Sequence, residues 1–588
     1  MKRKSVNRLF ALLLSGSMLA AVMTGCGNSE SKTDESVKNS AGTEESQSES
    51  VKDSGAETVG SSEEASKEDF DPKSIAEGVT ITIAIPENVK VENHETNDMT
   101  LMIEEALGVN LEFEVYPSAD YTSKLNLMVM TGDELPDIIM NPSSVDAWAA
   151  EGALIDLTEY YENPDLSATI RQAGELAGVD FAQQLRTADG KIYAAPAYSG
   201  AQTGVVWEKP WVYTPWLDAV GLDVPVTTEE FYEACKLVCE SDPNGNGKKD
   251  EIAFTDGGFG NSNDAWFNCL MSAFIYAHDS EYRVVEDGQI SFAYTTDAWK
   301  EGLKYIRRFF EEGLVPEEAL TQDSTQYQAQ VYSDVQTVFA FFGWQLDGTD
   351  LERKAGMMHI PALKGPEGVQ YAMYKPGTAN QGAVITSDCE NPEVAFLVLD
   401  YMCGEEMSIS QRYGKRGVNW DYWDEAKVDD RSRYSAKYDG YDISIIVYDD
   451  ASFWGSTETQ NVSWLQVGPQ VIDKTIFNGI AILTDVSTPE EEMQLKITTG
   501  INNAVLDCLN YSPDEVIVTL PLTEKENEAT SDIKATLKNY LTESICAFLV
   551  GSKDIDAEWD AYLAELERIG YQTVLDVYQT AYDRVNGK

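Results

Sequence analysis

Residues 78–91 read GVTITIAIPENVKV and residues 97–117 read NDMTLMIEEALGVNLEFEVYP. The run ITIAI (81–85) is short, apolar and rich in β-branched residues between turn signals, the pattern of a buried strand. The next stretch predicts a helix with Leu101, Met102, Ala106 and Leu107 on its apolar side. Asn97 or Asp98 is placed to cap it, and Gly108 to stop it. NLEFEVY (110–116) predicts a second strand. YTSKLNLMVMTGDELPDIIMNP (121–142) then gives a helix, a turn and the buried strand DIIM. Strand, helix, strand, helix and strand at this spacing argue for a parallel sheet covered by helices.

Upstream, MKRKSVNRLF carries Lys2, Arg3, Lys4 and Arg8, and is followed by the apolar run ALLLSGSMLAAVM. That run is shorter than the about 20 residues a membrane span requires. A basic start, a short apolar segment and small residues are the parts of an export signal. The run ends Met23-Thr24-Gly25-Cys26, which resembles a bacterial lipobox with Met where Leu is usual. This implies a signal peptide over 1–25 and a lipid anchor on Cys26, hence attachment to the outer face of a bacterial cell membrane. Residues 26–77 are rich in Ser, Glu, Lys and Gly with almost no large apolar side chains, so they predict a disordered tether.

The chain has 588 residues and a formal net charge of −57, from 100 acidic and 43 basic side chains. That balance argues against a nucleic-acid partner, whose binders need basic surfaces. Seven cysteines follow Cys26, at 235, 239, 269, 389, 403, 508 and 546, an odd and scattered set rather than a disulfide framework. Three histidines, His94, His278 and His359, lie far apart. There is no HExxH, GxSxG or phosphate-binding loop, and no positive case for an enzyme.

Residues 241–254 read SDPNGNGKKDEIAF. With Asp242 as position 1, Asn244 and Asn246 fall at 3 and 5, Gly247 at 6 and the Lys248 carbonyl at 7. This matches the start of an EF-hand, where hard oxygens surround Ca2+ and a glycine makes the sharp turn. Position 12 is Ala253, so Asp250 and Glu251 must close the shell earlier. A lone loop between a helix (231–240) and a strand (251–255) suits a structural calcium ion rather than a sensor.

The order of pieces along the chain carries a resemblance. GDELPDIIM (132–140) and EGALIDLTEYY (151–161) are followed by TADGKIYAAPAYSGAQTGVVWEK (187–209). VFAFFGWQLDG (338–348) and AGMMHIPALKGPEG (355–368) come next, and VGSKDIDAEWDAYLAELERIGYQTVLDVYQTAYDR (550–584) ends the chain. Together they resemble extracellular solute-binding proteins of carbohydrate ABC transporters, in particular the large lipoprotein members. Independently, Trp559, Tyr562, Leu563 and Leu566 recur at helical spacing between Asp556, a good cap, and Gly570.

The resemblance implies an α/β, two-lobed, periplasmic-binding-protein-like fold, each lobe a mainly parallel sheet flanked by helices, with extra C-terminal helices. On that pattern 78–205 is the first part of lobe 1, and 206–344 the first part of lobe 2 with the calcium loop. Residues 345–400 are the second part of lobe 1, and 401–588 the second part of lobe 2 with the C-terminal helices. It implies a monomer that captures an oligosaccharide between its lobes, closes on it and delivers it to the permease subunits of an ABC importer. A surface carbohydrate-active enzyme and a glycan-binding surface module without a transport role stay open as alternatives.

Sugars stack their C–H faces on aromatic rings and bond their hydroxyls to amides and carboxylates. Tyr198 and Trp207 flank the expected first crossover and Trp344 the return. Trp266, with Asn263 and Asp264 beside it, follows a Gly/Asn/Asp loop. Asn97 and Asp98, helix-cap residues first, are further candidates, as are Trp420, Trp423 and Trp464 for an outer platform. Basic residues are few in these segments, Lys209 and Lys375 being the nearest, which suggests a neutral sugar.

Overall fold

The computed structural model describes residues 70–260, 264–278, 281–344, 350–448 and 459–587. The Cys26 site, the tether up to residue 69 and Asn263 lie outside the described residues.

Strand Thr80–Pro86 is buried along most of its length and pairs in parallel with Asn110–Tyr116 on one side and Ile138–Met140 on the other. The link between the first two is helix Asp98–Leu107, capped by the Asn97 side chain, which accepts from the Met99 N–H. Gly108 ends it at φ 77, a left-handed conformation that glycine adopts without cost. A side chain there would also press on the Glu77 backbone, 3.3 Å from the Cβ position. Strands Asn380–Ile385 and Ala194–Ser199 extend the sheet with antiparallel pairings, and Gln470–Ile472 closes it in parallel on the far edge. This is a six-stranded sheet whose members come from three separated stretches of chain.

The second body is built on strand Lys209–Tyr213, flanked by Ala340–Gly343 and Met357–His359. Both pairings are antiparallel, so the mainly parallel pairing expected of each lobe holds for the first sheet and not for the second. The reason is topological: Lys209–Tyr213 enters as a crossover strand, and parallel contacts in this body are isolated bridges, Ile252 with Val338 and Thr227 with Lys364. Around the sheet, Trp266, Phe267, Trp299 and Phe309 form one core with the C-terminal helices. Those helices span Glu524–Leu549, Ile555–Ile569 and Tyr571–Val585, and the Tyr562 hydroxyl donates to the Tyr294 carbonyl at 3.1 Å. The helix expected to start at Asp556 is capped by Asp554 instead. Asp556 serves Lys300 and Lys304, at 2.9 and 2.8 Å.

Three expected boundaries move: the tether expected over 26–77 gives way to helix Lys73–Ala76, whose Ala76 is buried in the first core. The resemblance places residues 345–400 in the first lobe, yet Met357–His359 pairs within the second sheet and the return to the first comes only with Asn380–Ile385. The resemblance places residues 401–588 in the second lobe, yet Met407, Trp464 and Val471 lie in the core of the first. Strand pairing and burial between segments far apart in sequence decide these memberships, and local periodicity carries neither.

Candidate functional site

The chain passes between the two largest sheets after Ser199, and again between His359 and Asn380. At the first passage an added Cβ on Gly200 would sit 2.4 Å from the Lys474 nitrogen, so only glycine lets the two backbones touch there. The Ser199 Oγ beside it is buried without a hydrogen-bond partner.

Just beyond, Trp207 and Trp344 stack with ring centroids 5.2 Å apart and planes 12° from parallel. Both rings are half-buried, leaving indole surface accessible. Lys209 lies beneath them, 1% exposed. Its Nζ sits 4.7 Å from the Trp344 ring centroid and donates to the carbonyls of Val206 at 3.3 Å and Trp207 at 3.2 Å. Burial lowers its pKa to about 8, against partial compensation from Cys508, Cys269 and Glu208. Trp344 also packs into a junction cluster with Val205, Tyr374, Tyr441 and Tyr511 around buried Tyr438. From the first sheet Tyr198 comes to the same junction. Its ring meets Phe181 at 5.5 Å, its hydroxyl lies 3.4 Å from where a Gly377 Cβ would be, and Tyr374 and Asp473 are its electrostatic neighbours. Burial first, then those two groups, push the Tyr198 hydroxyl above its ordinary range. The result is an aromatic wall made by Trp207 and Trp344, with Tyr198, packed on the core of the first sheet, near it by way of Tyr374. Such a wall offers flat apolar faces to a ring of C–H groups, and hydroxyls at its margin.

Tyr198, Trp207 and Trp344 are thus the sequence candidates that this junction gathers. Asn97 is fully buried as a helix cap and donates to the Ser463 carbonyl at 3.2 Å, while Asp98 pairs with Lys415 at 3.4 Å. Trp266, at 2% exposure, is core of the second body and not a platform. Asp264 beside it is buried, accepts from the Gly260 N–H at 2.8 Å, and is pushed up to about 6 by burial, with Asp256 adding to the rise. Trp420 and Trp464 are both 0% exposed. Trp420 bonds the Gly414 carbonyl at 2.8 Å, and Trp464 reaches Thr100 Oγ1 at 3.2 Å and meets the Phe113 ring edge-on at 5.3 Å. Neither can serve as an outer platform. Trp423 is half-buried but occupied, with Arg431 over its ring at 4.7 Å and Tyr434 beside it. Tyr374 and Tyr441 were not anticipated. The one signal for Tyr374 is its place directly before Lys375-Pro376-Gly377.

The 242–251 stretch folds as a tight polar loop. Asp242 accepts from the N–H groups of Asn246 and Gly247 at 3.0 and 2.8 Å, and Asn246 Oδ1 accepts from the Lys248 N–H at 2.8 Å. Gly247 has φ 76. Asp250 is bonded by the side-chain amide of Asn246 at 3.0 Å. The three carboxylates of the loop do not converge on one point; among the described residues no three His, Cys, Asp or Glu side chains do. Yet Glu251, 6% exposed, has both carboxylate oxygens buried without a hydrogen-bond partner. A bare buried carboxylate is costly unless a cation meets it. The donor set, all hard oxygens, suits calcium.

Among the described residues the seven cysteines are free and no helix is long and apolar enough to cross a membrane.

Known proteins share this architecture. The fructooligosaccharide ABC transporter substrate-binding protein FusA of Streptococcus pneumoniae is 26% identical over 498 residues, covering 82% of this chain and 86% of that protein. Its structure in complex with kestose superposes with a TM-score of 0.60 at 23% identity, over 86% of this chain and 99% of that one. Another structure of it is of an EF-hand mutant in complex with fructo-nystose, at a TM-score of 0.61 and 23% identity, over the same shares of the two chains. Lipoprotein LipO of Bacillus subtilis is 23% identical over 351 residues, 55% of this chain and 64% of that protein. An extracellular solute-binding protein from Bifidobacterium longum subsp. infantis matches with a TM-score of 0.68 at 19% identity, over 87% of this chain and 99% of that one. At these identities the solved structures establish a shared fold. The profile of one family, bacterial extracellular solute-binding protein, matches residues 95–408, just over half of the chain. The chain belongs to the bacterial extracellular solute-binding protein family.

Proposed function

We propose that this protein captures an oligosaccharide between its two sheets and hands it to the permease of a carbohydrate ABC importer. The observation that carries the reading is the half-buried Trp207–Trp344 stack at the passage between the sheets. Ligand binds there by stacking and hydrogen bonding, and closure follows because the closed state holds it better than the open one. No side chain is assigned a bond-breaking role; the reading is of a binding protein, not an enzyme. A neutral glycan suits a wall whose buried cation is covered by aromatic rings. Fructooligosaccharides lead the panel to be tried, because FusA is a relative along most of the chain.

Three further elements belong to the same proposal. Calcium sits in the 242–251 loop as a structural ion, held by Asp242, Asn244, Asn246, the Lys248 carbonyl, Asp250 and Glu251; the unpartnered Glu251 oxygens support it. Cys26 is lipidated after removal of 1–25, which anchors the protein to the outer face of the membrane; the LipO relative supports that reading. The working unit is a monomer.

The test is thermal unfolding of the chain from residue 70 onward against kestose, nystose, galacturonan and N-glycan oligosaccharides. A sugar-dependent rise in Tm with the glycan recovered intact supports capture without turnover. No shift with any sugar refutes the substrate class, and a cleaved glycan refutes the non-enzymatic reading.

A further inference from the structure

We infer that Lys209 is the positioning residue of the aromatic wall, its ammonium group holding Trp207 and Trp344 together as one platform. The inference rests on the reading of that pair as the sugar-contacting surface, and it can be tested without any sugar.

The geometry is specific. One nitrogen holds the main-chain carbonyl of Trp207 at 3.2 Å and lies 4.7 Å from the Trp344 ring centroid, with the Trp211 ring at 5.8 Å. Trp207 follows the crossover and Trp344 directly follows strand Ala340–Gly343, more than a hundred residues later; strand pairing of Lys209 with Gly343 brings the two backbones together, and the ammonium acts on the rings they carry. A cation over an indole is attracted to its ring electrons, and more strongly where water is excluded. The hydrogen-bond partners of the Lys209 ammonium are main-chain carbonyls, those of Val206 and Trp207, and burying a charge on neutral partners opposes folding. A methionine of similar length would fill the space without that cost, so the ammonium is kept for what it orients.

The groups facing this nitrogen come from four directions. Glu208 neighbours it in sequence, Cys269 faces it from helix Ala265–Met271, and Cys508 from helix Pro489–Leu509. His359 faces it from the adjacent strand and is itself bonded to Asp507 at 2.8 Å. Burial is the largest influence and brings the Lys209 pKa to about 8, so the proton leaves just above neutral pH. The folded value lies below the unfolded one. The native state therefore gains stability as pH rises from about 8 towards about 10, while the stack loses its cation over the same window. Stability and platform order move in opposite directions.

The experiment compares wild type with Lys209→Met, Lys209→Arg and Trp207→Phe. It reads the indole–indole exciton couplet by circular dichroism, defined as the component that Trp207→Phe removes. Kestose affinity is measured alongside. Expected results are a couplet in wild type that fades as pH rises through about 8, and its absence in Lys209→Met at every pH although that variant melts no lower than wild type. In Lys209→Arg it persists at high pH, because guanidinium keeps its charge. Kestose binding by Lys209→Met weakens by about tenfold or more. A couplet that survives in Lys209→Met, or that ignores pH in wild type, overturns the inference. Should Lys209→Met fail to fold, the wild-type pH titration and Lys209→Arg still decide it. A couplet that behaves as stated while kestose binds to none of the proteins supports the positioning role and refutes the fructooligosaccharide reading alone.

Discussion

Asn244 donates its side-chain amide to the main-chain carbonyl of Gln336 across 3.0 Å. That bond fastens the 242–251 loop to the segment that becomes strand Ala340–Gly343 and then Trp344. The joint is doubled one turn later, where the Ile252 N–H bonds the Thr337 carbonyl at 2.8 Å and Phe339 N–H returns to Ile252 at 3.0 Å.

Ion removal should therefore be felt in the whole second body. In calorimetry, chelator is expected to lower the Tm of wild type, and Glu251→Gln to abolish the response to added calcium. At a free calcium concentration of about a thousand times Kd, the ion contributes about 4 kcal/mol. A Tm that ignores chelator, with no metal found bound, would remove the calcium assignment.

Tryptophan substitutions should separate into two kinds. Trp207→Ala should leave Tm nearly unchanged and weaken glycan binding by about tenfold to a hundredfold. Trp266→Ala and Trp464→Ala, which empty core sites, should each cost about 3–5 kcal/mol in urea unfolding. Where they still fold, glycan affinity should stay within about threefold of wild type. Loss of affinity in a folded Trp464→Ala protein would put the wall in the wrong place.

The buried Asp264 predicts a pH effect of definite sign. Burial first, with Asp256 adding to it, pushes its pKa up to about 6 from an ordinary 3.8. The native state thus keeps a proton that the unfolded chain has released, and this group's contribution to stability falls as pH rises between about 4 and about 6. Asp264→Asn keeps an acceptor for the Gly260 N–H, and should add on the order of 2 kcal/mol at about pH 7.5 and almost nothing at about pH 4. Urea midpoints at the two pH values decide it; an equal effect at both would contradict the burial argument.

Gly500 lies within the long helix Pro489–Leu509, where an added Cβ meets nothing within 4 Å. It borders a cleft of about 120 Å³ lined by Trp211, Met357, His359 and Ile497. Gly500→Ala should stabilise by up to about 1 kcal/mol through backbone entropy alone. A lower Tm in the variant would show that the cleft closes on that position.

What the sequence made legible was local. The strand at 81–85, the Asn97 cap and the Gly108 stop follow from short-range chemistry, and each stands where the spacing places it. The site was half legible. Trp207 and Trp344 could be named from their positions beside the crossovers, but not paired, because their stacking depends on two strands meeting across the second sheet. Trp464 was misjudged for the mirror-image reason. Its burial is supplied by Thr100 and Phe113, more than three hundred residues upstream, and no local pattern encodes that contact. The antiparallel second sheet escaped notice for a similar reason. A crossover strand and a parallel one are alike in composition, and only the direction of arrival distinguishes them.

The edge strand Gln470–Ile472 completes the first sheet beside Ala194–Ser199, and Tyr578 seals the second core. Neither body can therefore close until most of the chain has emerged from the ribosome. The first waits for about residue 470, and the second for the last helix. Such late, long-range closures make folding slow and leave apolar strands uncovered meanwhile. A molecule laid out in this way keeps apolar surface uncovered until the chain is nearly full length, and truncation a few turns short of the end should leave the first body finished and the second unsealed.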